Sequence, residues 1–310
     1  MKNVLEKLNN GHLFKLVLGL GNLNKEQIKN LVNIYSNTQT DIIDLPPNQE
    51  VIDLVFRELA IQNIKIDKFI YCLSFGLKDD KHNSCACVDK KKCIGCGKCI
   101  EMCSQNAIFE KENNILIDEK KCIGCQKCKC KAISYKNKYS VSDFDVIKLA
   151  NKNNVKIIEL HASIAKTKMI KEAFDNLNNN FDGVISVCFS REYLSEDNLN
   201  KLTEYFIKKR QTKPLIIQAD GFSMSGGDNN YFSTINAVSC AQLFQKYLNF
   251  LNFYIFISGG TNETTSELAK LSNIQYSGIT VGSYARKIIK NVSKETAIEN
   301  AKRLVDKCKQ

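Results

Sequence analysis

The sequence predicts an α/β fold, a (β/α)8 TIM-like barrel interrupted after its third strand by a cysteine-rich insert. Three observations lead there. Short apolar runs rich in Ile and Val alternate with amphipathic segments along the 310 residues. Runs of nearly continuous apolar character mark strands buried on both faces, as in a parallel sheet. Strand starts at His12, Asp41 and Phe69, and again at Val155, Gly183 and Pro214, recur about every 28 residues, the length of one strand–helix unit. Setting residues 76–140 aside leaves about 245 residues, close to the ~250 typical of such barrels. An open doubly wound sheet has the same alternation and is the competing fold. The expected organisation is a barrel from residues 1–75 and 141–310, with an inserted unit over 76–140.

The strand runs, in order, are HLFKLVLG from His12, DIIDL from Asp41, FIYCLSF from Phe69 and VKIIEL from Val155. They continue with GVISVCF from Gly183, PLIIQAD from Pro214, FYIFIS from Phe253 and SGITVG from Ser277. Between them KEQIKNLVNIYSN, QEVIDLVFRELAIQN, DNLNKLTEYFIKKRQ and the run from Tyr231 to Asn249 place apolar residues at three- and four-residue steps. That spacing lays one apolar helix face on a sheet.

The insert carries two cysteine runs, CIGCGKCIEMC from Cys93 and CIGCQKCKC from Cys122. The first has the C-x2-C-x2-C-x3-C spacing of a ferredoxin with two 4Fe-4S clusters, in which three cysteines of a run bind one cluster and the fourth crosses to the other. Applied here, Cys93, Cys96, Cys99 and Cys130 hold one cluster, and Cys122, Cys125, Cys128 and Cys103 hold the second. The pattern is imperfect. Ser104 stands where Pro usually follows, and the second run ends with Cys128 and Cys130 only two apart. Side chains two apart in a strand share a face, whereas in a less regular stretch each can serve a different cluster. Cys85 and Cys87 lie just upstream as alternatives to Cys130. A single cluster and a zinc site are the competing readings of these thiols, although a third CxxC step in one run exceeds the paired donation of zinc knuckles. Gly95, Gly97 and Gly124 supply the backbone freedom that tight wrapping needs. Ala107–Ile108 and Ala132–Ile133 follow the two runs at similar distances and suggest two pseudo-equivalent halves.

Composition narrows the setting. No apolar stretch approaches the ~18 residues of a membrane span, and the N-terminus lacks the order of a secretory signal. Fourteen cysteines in a chain of this size point to reduced thiols in the cytoplasm, rather than to a disulfide framework. The net charge of +11 comes from lysine spread along the whole chain. A nucleic-acid surface would concentrate it on one face, so none is expected. Within the insert, lysines offset the negative charge of thiolate-bound clusters.

Candidate ligand-contacting residues sit at strand ends, where barrels build their sites. Gly259, Gly260 and Thr261 follow the seventh strand; Gly282 and Ser283 follow the eighth. Loops at these two places often hold a phosphate on backbone N–H groups, which admits a phosphate-bearing cofactor such as FMN. Asp220 ends the sixth strand before the small polar loop GFSMSGGDNN, which is expected to cover a ligand. Asp44, His161, Arg191 and Arg286 are further polar candidates, each with an ordinary structural reading beside it. Cys72, Cys188, Cys240 and Cys308 fall in strand or helix patterns and read as small buried hydrophobes. No Ser–His–Asp order, phosphate-binding P-loop or HExxH motif occurs.

Taken together, GHLFKLVLGLGN, DIIDLPP, the cysteine runs, PLIIQADGFSMSGG, FISGGTNETTSELAKL and GITVGSYARKII resemble the LdpA-like iron–sulfur proteins of the cyanobacterial light-dependent period family. The resemblance spans nearly the whole chain. It implies two iron–sulfur clusters and a role in sensing or relaying cellular redox state, in cyanobacteria as an input to the circadian clock. An electron donor or acceptor is implied as partner. The rival expectation is an oxidoreductase holding an FMN-like cofactor in the barrel mouth.

Overall fold

In the computed structural model, the described residues are 1–78, 80, 83–103, 105–137, 141–162, 166–221 and 231–310. The barrel strands are β1 (Leu13–Val17), β2 (Ile42–Leu45) and β3 (Ile70–Gly76), then β8 (Ile157–His161) and β9 (Val184–Ser190). β10 (Leu215–Asp220), β11 (Phe253–Ser258) and β12 (Gly278–Val281) complete the set. They close in the order β1-β2-β3-β8-β9-β10-β11-β12, every neighbouring pair parallel. This closed sheet rules out the open doubly wound alternative.

Helices fill the outside: α2 (Lys25–Tyr35), α3 (Gln49–Ile61), α5 (Asp143–Lys152), α6 (Thr167–Asn180) and α7 (Glu196–Arg210). α8 (Tyr231–Gln242), α9 (Thr265–Leu271), α10 (Ser283–Lys287) and α11 (Lys294–Cys308) follow. Their starts are legible in local chemistry. Asn24, Asn48, Ser142, Ser195 and Ser293 each accept a bond from a first-turn amide of the helix that follows. The run predicted as one helix from Tyr231 to Asn249 is broken. α8 stops at Gln242, and Leu243 and Phe244 tighten onto the carbonyls three residues back.

The barrel interior is layered. Its floor is apolar: Leu13, Ile42, Ile70, Ile157, Val184, Ile216, Tyr254 and Phe256, with Val4 and Leu8 of an N-terminal helix, α1 (Lys2–Asn10), sealing it from below. A second, larger apolar cluster fills the space between strands and outer helices. Above the floor the inward positions turn polar, and that layer forms part of the site.

Between β3 and α5 lie β4 (Ser84–Val88), α4 (Lys98–Glu101), β5 (Ile108–Lys111), β6 (Asn114–Ile117) and β7 (Ile133–Asn137). They form two antiparallel pairs of their own, β4 with β7 and β5 with β6. The segment leaves the carboxyl end of β3, the face on which barrels carry their functional loops. Its stem is buried. Asn83 Nδ2 donates to the Gly76 and Leu77 carbonyls at 2.9 Å each, and a Cβ on Gly76 would lie 2.8 Å from Asp80 Cβ. No helix among the described residues is long and apolar enough to cross a membrane.

Candidate functional site

The cysteine segment is built as two matching halves. Asp89 and Asp118 each begin a turn in which the backbone N–H of the first cysteine of the run, Cys93 or Cys122, donates to the Asp carbonyl at 3.0 Å. Each Asp side chain also accepts the N–H two residues on, from Lys91 and Lys120. The halves then interlock: Asp89 N–H donates to the Ala132 carbonyl and Asp118 N–H to the Ala107 carbonyl. Gly95 and Gly124 match in left-handed backbone (φ 68° and 69°), as do Gly97 and Gln126 (71° and 57°).

This interlocking decides which thiols meet. Burial, followed by the neighbouring charge of Cys130, Cys93 and Cys128, pushes the Cys99 thiol up. Burial pushes up Cys125, with Cys103 and Cys122 adding to it. Burial likewise raises Cys128, against a hydrogen bond from Tyr135 Oη at 3.1 Å, with Cys125 and Cys103 as charged neighbours. Cys93, Cys103 and Cys130 pack against the same small buried cluster that holds Cys99, Cys122 and Cys128. Cys96 is exposed. Cys85 and Cys87 occupy alternate positions on β4, facing Lys136 and Ser134 of β7. Strand alternation puts them on the side opposite Ala86, whose cross-strand partner Tyr135 is the residue that reaches Cys128. Cys87 Sγ lies 3.0 Å from Ser134 Oγ. Ser104 lies outside the described residues.

The donors fit an iron–sulfur centre. All fourteen cysteines are free thiols. Backbone amides also aim at sulfur, Ala86 N–H at Cys122 Sγ (3.4 Å) and Ala107 N–H at Cys103 Sγ (3.3 Å). Such N–H···S contacts stabilise thiolate and raise a cluster's potential.

The second constellation lies inside the barrel. Lys15 of β1 is 97% buried, with Nζ 2.6 Å from Glu159 Oε2 of β8, 3.1 Å from Gln218 Oε1 of β10 and 3.4 Å from Asp44 Oδ2 of β2. Ser186 Oγ donates to Glu159 Oε2 at 2.7 Å, and Gln218 Nε2 to Glu159 Oε1 at 2.9 Å. Ser74 Oγ donates to Asp44 Oδ1 at 2.5 Å, and Thr280 Oγ1 to Gln218 Oε1 at 2.9 Å. Burial opposes charge on Lys15, but Asp44 and Glu159 overcome it and hold the ammonium well above its ordinary range. Burial would also raise Glu159; Lys15 and His161 overrule it and hold the carboxylate well below its usual range. For Asp44, burial wins and its pKa rises. His161 ends β8 with Nε2 3.3 Å from Glu159 Oε1. Burial works against its charge, yet Glu159, Asp80 and Asp44 push it up to about 9. Neither Lys15 nor Glu159 stood out in the sequence. Their signal was a charged residue at an inward position of an otherwise apolar run.

The glycine turns are less open than their sequences suggest. Gly259 and Gly260 have φ of 72° and 88°, but the Gly260 carbonyl accepts from Ser233 Oγ (2.9 Å) and Thr234 Oγ1 (3.2 Å). Thr261 is buried and gives its hydroxyl to the Thr280 carbonyl at 2.5 Å. Gly282 precedes α10, a single short turn. Ser283 Oγ accepts from Arg286 Nη2 at 3.3 Å, while Arg286 Nη1 donates to the Val17 carbonyl at 3.1 Å. Burial lowers Arg286 to about 10. Asp220 is buried, with Cys188 Sγ 3.8 Å from its Oδ2. Arg191 is exposed and bonds Ser239 Oγ, away from these groups. Cys72, Cys188, Cys240 and Cys308 are all buried. Of the loop after Asp220, residues 222–230 lie outside the described residues.

A family model for the light dependent period A C-terminal domain matches residues 149–309, more than half of the chain. The chain belongs to this family. A 4Fe-4S binding domain model matches residues 86–109, over the first cysteine run. An iron–sulfur cluster and electron transfer are thus its chemistry. No curated protein matches the chain. Similar solved structures include a probable tagatose 6 phosphate kinase from Sinorhizobium meliloti, with a TM-score of 0.49 at 9% identity over 90% of this chain and 66% of that one. A truncated 3-deoxy-D-arabino-heptulosonate 7-phosphate synthase from Thermotoga maritima has a TM-score of 0.49 at 10% identity, over 96% of this chain and 85% of that one. The 3-hexulose-6-phosphate synthase from Salmonella typhimurium has 0.45 at 10%, over 96% and 98%. Nothing about substrate follows from likenesses this distant.

Proposed function

We propose that residues 76–140 form an inserted domain holding two 4Fe-4S clusters, and that the protein senses or relays electrons on behalf of its barrel. Cys93, Cys96, Cys99 and Cys130 hold one cluster; Cys122, Cys125, Cys128 and Cys103 hold the other. The clusters supply one-electron transfer. The observation that supports this reading is the packing of both cysteine runs around one small core, with Cys99, Cys122 and Cys128 buried in it and Cys93, Cys103 and Cys130 against it. A single mononuclear site has no use for so many thiols. The segment rises from the carboxyl end of β3, so its redox state bears on what the barrel mouth holds. An electron donor or acceptor is the partner, and a reducing cytoplasm is the setting in which fourteen free thiols persist.

Anaerobically purified protein should contain about eight iron and eight sulfide per chain. Low-temperature EPR of the reduced protein should lose one cluster signal in Cys96→Ser and keep both in Cys188→Ser. Zinc in place of iron, or about four iron per chain in the unaltered protein, defeats the two-cluster assignment.

A second reading places a phosphate-bearing cofactor such as FMN in the mouth, with Asp220, the Gly259–Gly260–Thr261 turn and Gly282–Ser283 around it. Arg286 is what favours it, a half-buried guanidinium beside the Ser283 turn. β11, which leads into the first turn, lies across the barrel from β3. Flavin fluorescence released on denaturation supports this reading, and brown protein with no organic cofactor removes it.

A further inference from the structure

The barrel mouth gathers a second set of metal-ligating side chains, separate from the cysteine segment. Three adjacent strands supply it. On β8 and β9, His161 and Cys188 are register partners; on β10, Asp220 lies two residues beyond Gln218, the partner of Cys188. Glu159 lies one inward step below His161. The ligating atoms of Glu159, His161 and Cys188 all lie within 4.8 Å of one another. Cys188 Sγ is 3.8 Å from Asp220 Oδ2, and His161 Nε2 is 3.3 Å from Glu159 Oε1.

These spacings suit a small tetrahedral ion. Zinc bonds of about 2.0–2.2 Å to nitrogen or oxygen and about 2.3 Å to sulfur imply ligand–ligand edges of about 3.3–3.6 Å. The His161–Glu159 edge already has that length, and Cys188 Sγ lies within 4.8 Å of a ligating atom of each. The supporting shell is also in place. Lys15 and Ser186 fix Glu159 Oε2, and Gln218 Nε2 fixes Oε1, so the carboxylate cannot turn away from His161.

We propose that Glu159, His161 and Cys188 form a mononuclear site for a borderline divalent cation, zinc or iron(II), at the mouth of the barrel, with Asp220 beside Cys188 as a supporting carboxylate. Mixed nitrogen, sulfur and oxygen donors select such ions over magnesium or calcium. Zinc takes cysteine as thiolate and histidine as neutral imidazole, so binding releases protons. The site is independent of how many clusters the cysteine segment carries.

The test uses the full chain, purified anaerobically with its clusters, titrated with zinc alone and read by metal analysis and proton release. The expected result is about one tightly held zinc per chain, with protons released on binding and cluster iron and sulfide unchanged. His161→Ala and Cys188→Ser should each weaken zinc binding by at least about 100-fold while keeping cluster iron. Asp220→Asn, which preserves shape, should weaken it less and guards against a folding artefact. Failure of the unaltered protein to bind zinc overturns the proposal. Equal binding by the variants also overturns it, as does zinc uptake matched by iron loss, which would place the zinc on the cluster thiols.

Discussion

The barrel interior and the cysteine segment solve one problem differently. Both bury polar, chemically reactive side chains. The barrel does so inside a large apolar frame, and its interior charges find partners of their own: Lys15 with Glu159 and Asp44, Gln218 with both Lys15 and Glu159. The cysteine segment has no such frame. Its buried set is Cys85, Ala86, Cys99, Ala107, Ile108, Ile115, Cys122 and Cys128, of which half are cysteines. Its sheets have two strands each, and an isolated pair is marginal in water. The difference teaches where stability comes from. The barrel is held by burial, whereas the segment depends on what its thiols bind.

The largest effect should therefore come from removing the metal. Oxidative or chelator-driven loss of iron should erase hydrogen-exchange protection across residues 84–137, while the barrel strands keep theirs. A metal-coupled unit unfolds when its metal leaves, because binding energy is its folding energy. Equal protection in both regions before and after iron loss would break the comparison, since the segment would then hold itself together.

Next comes the barrel's internal charge layer. Lys15→Met removes the ammonium and leaves Glu159 and Asp44 buried without it. Breaking a buried pair from one side costs about 3–5 kcal/mol. Urea denaturation should show that loss in the barrel transition, with cluster absorbance intact until the barrel unfolds. Lys15→Met combined with Glu159→Gln should recover part of it, because only Asp44 is then left without the ammonium.

That layer is also where the sequence was hardest to read. The eight strands were legible because their apolar runs are nearly continuous. Lys15 disappeared into HLFKLVLG and Glu159 into VKIIEL, since a mostly apolar run reads as a strand whatever single charge it contains. Only register shows that Lys15, Asp44, Ser74, Glu159, Ser186, Gln218 and Thr280 all face inward above an apolar floor. The interlocking of the two halves was equally out of reach, because it depends on backbone bonds from Asp89 to Ala132 and from Asp118 to Ala107. The sealing helix α1 went unread, being a short amphipathic stretch without a neighbour in sequence to pack on.

The smallest effect offers the sharpest contrast, since the same chemical change can be made in both regions. Gly260 and Gly97 are both left-handed, with φ of 88° and 71°. At Gly260 a new Cβ would lie 2.6 Å from Ser233 Cβ, against a turn tied down by the hydroxyls of Ser233 and Thr234. At Gly97 a new Cβ meets nothing within 4 Å, and its counterpart Gln126 already carries a side chain at φ 57°. Strain alone costs about 1–2 kcal/mol for a left-handed non-glycine residue. Gly97→Ala should therefore cost about 1–2 kcal/mol and keep both clusters, whereas Gly260→Ala should add a steric penalty and cost roughly 2–4 kcal/mol. Denaturation midpoints of the two variants, followed by cluster absorbance and by far-UV circular dichroism, measure the gap. If Gly97→Ala proves the costlier of the two, the cluster turns are as tightly constrained as the barrel mouth, and the looseness inferred for the segment's backbone is wrong.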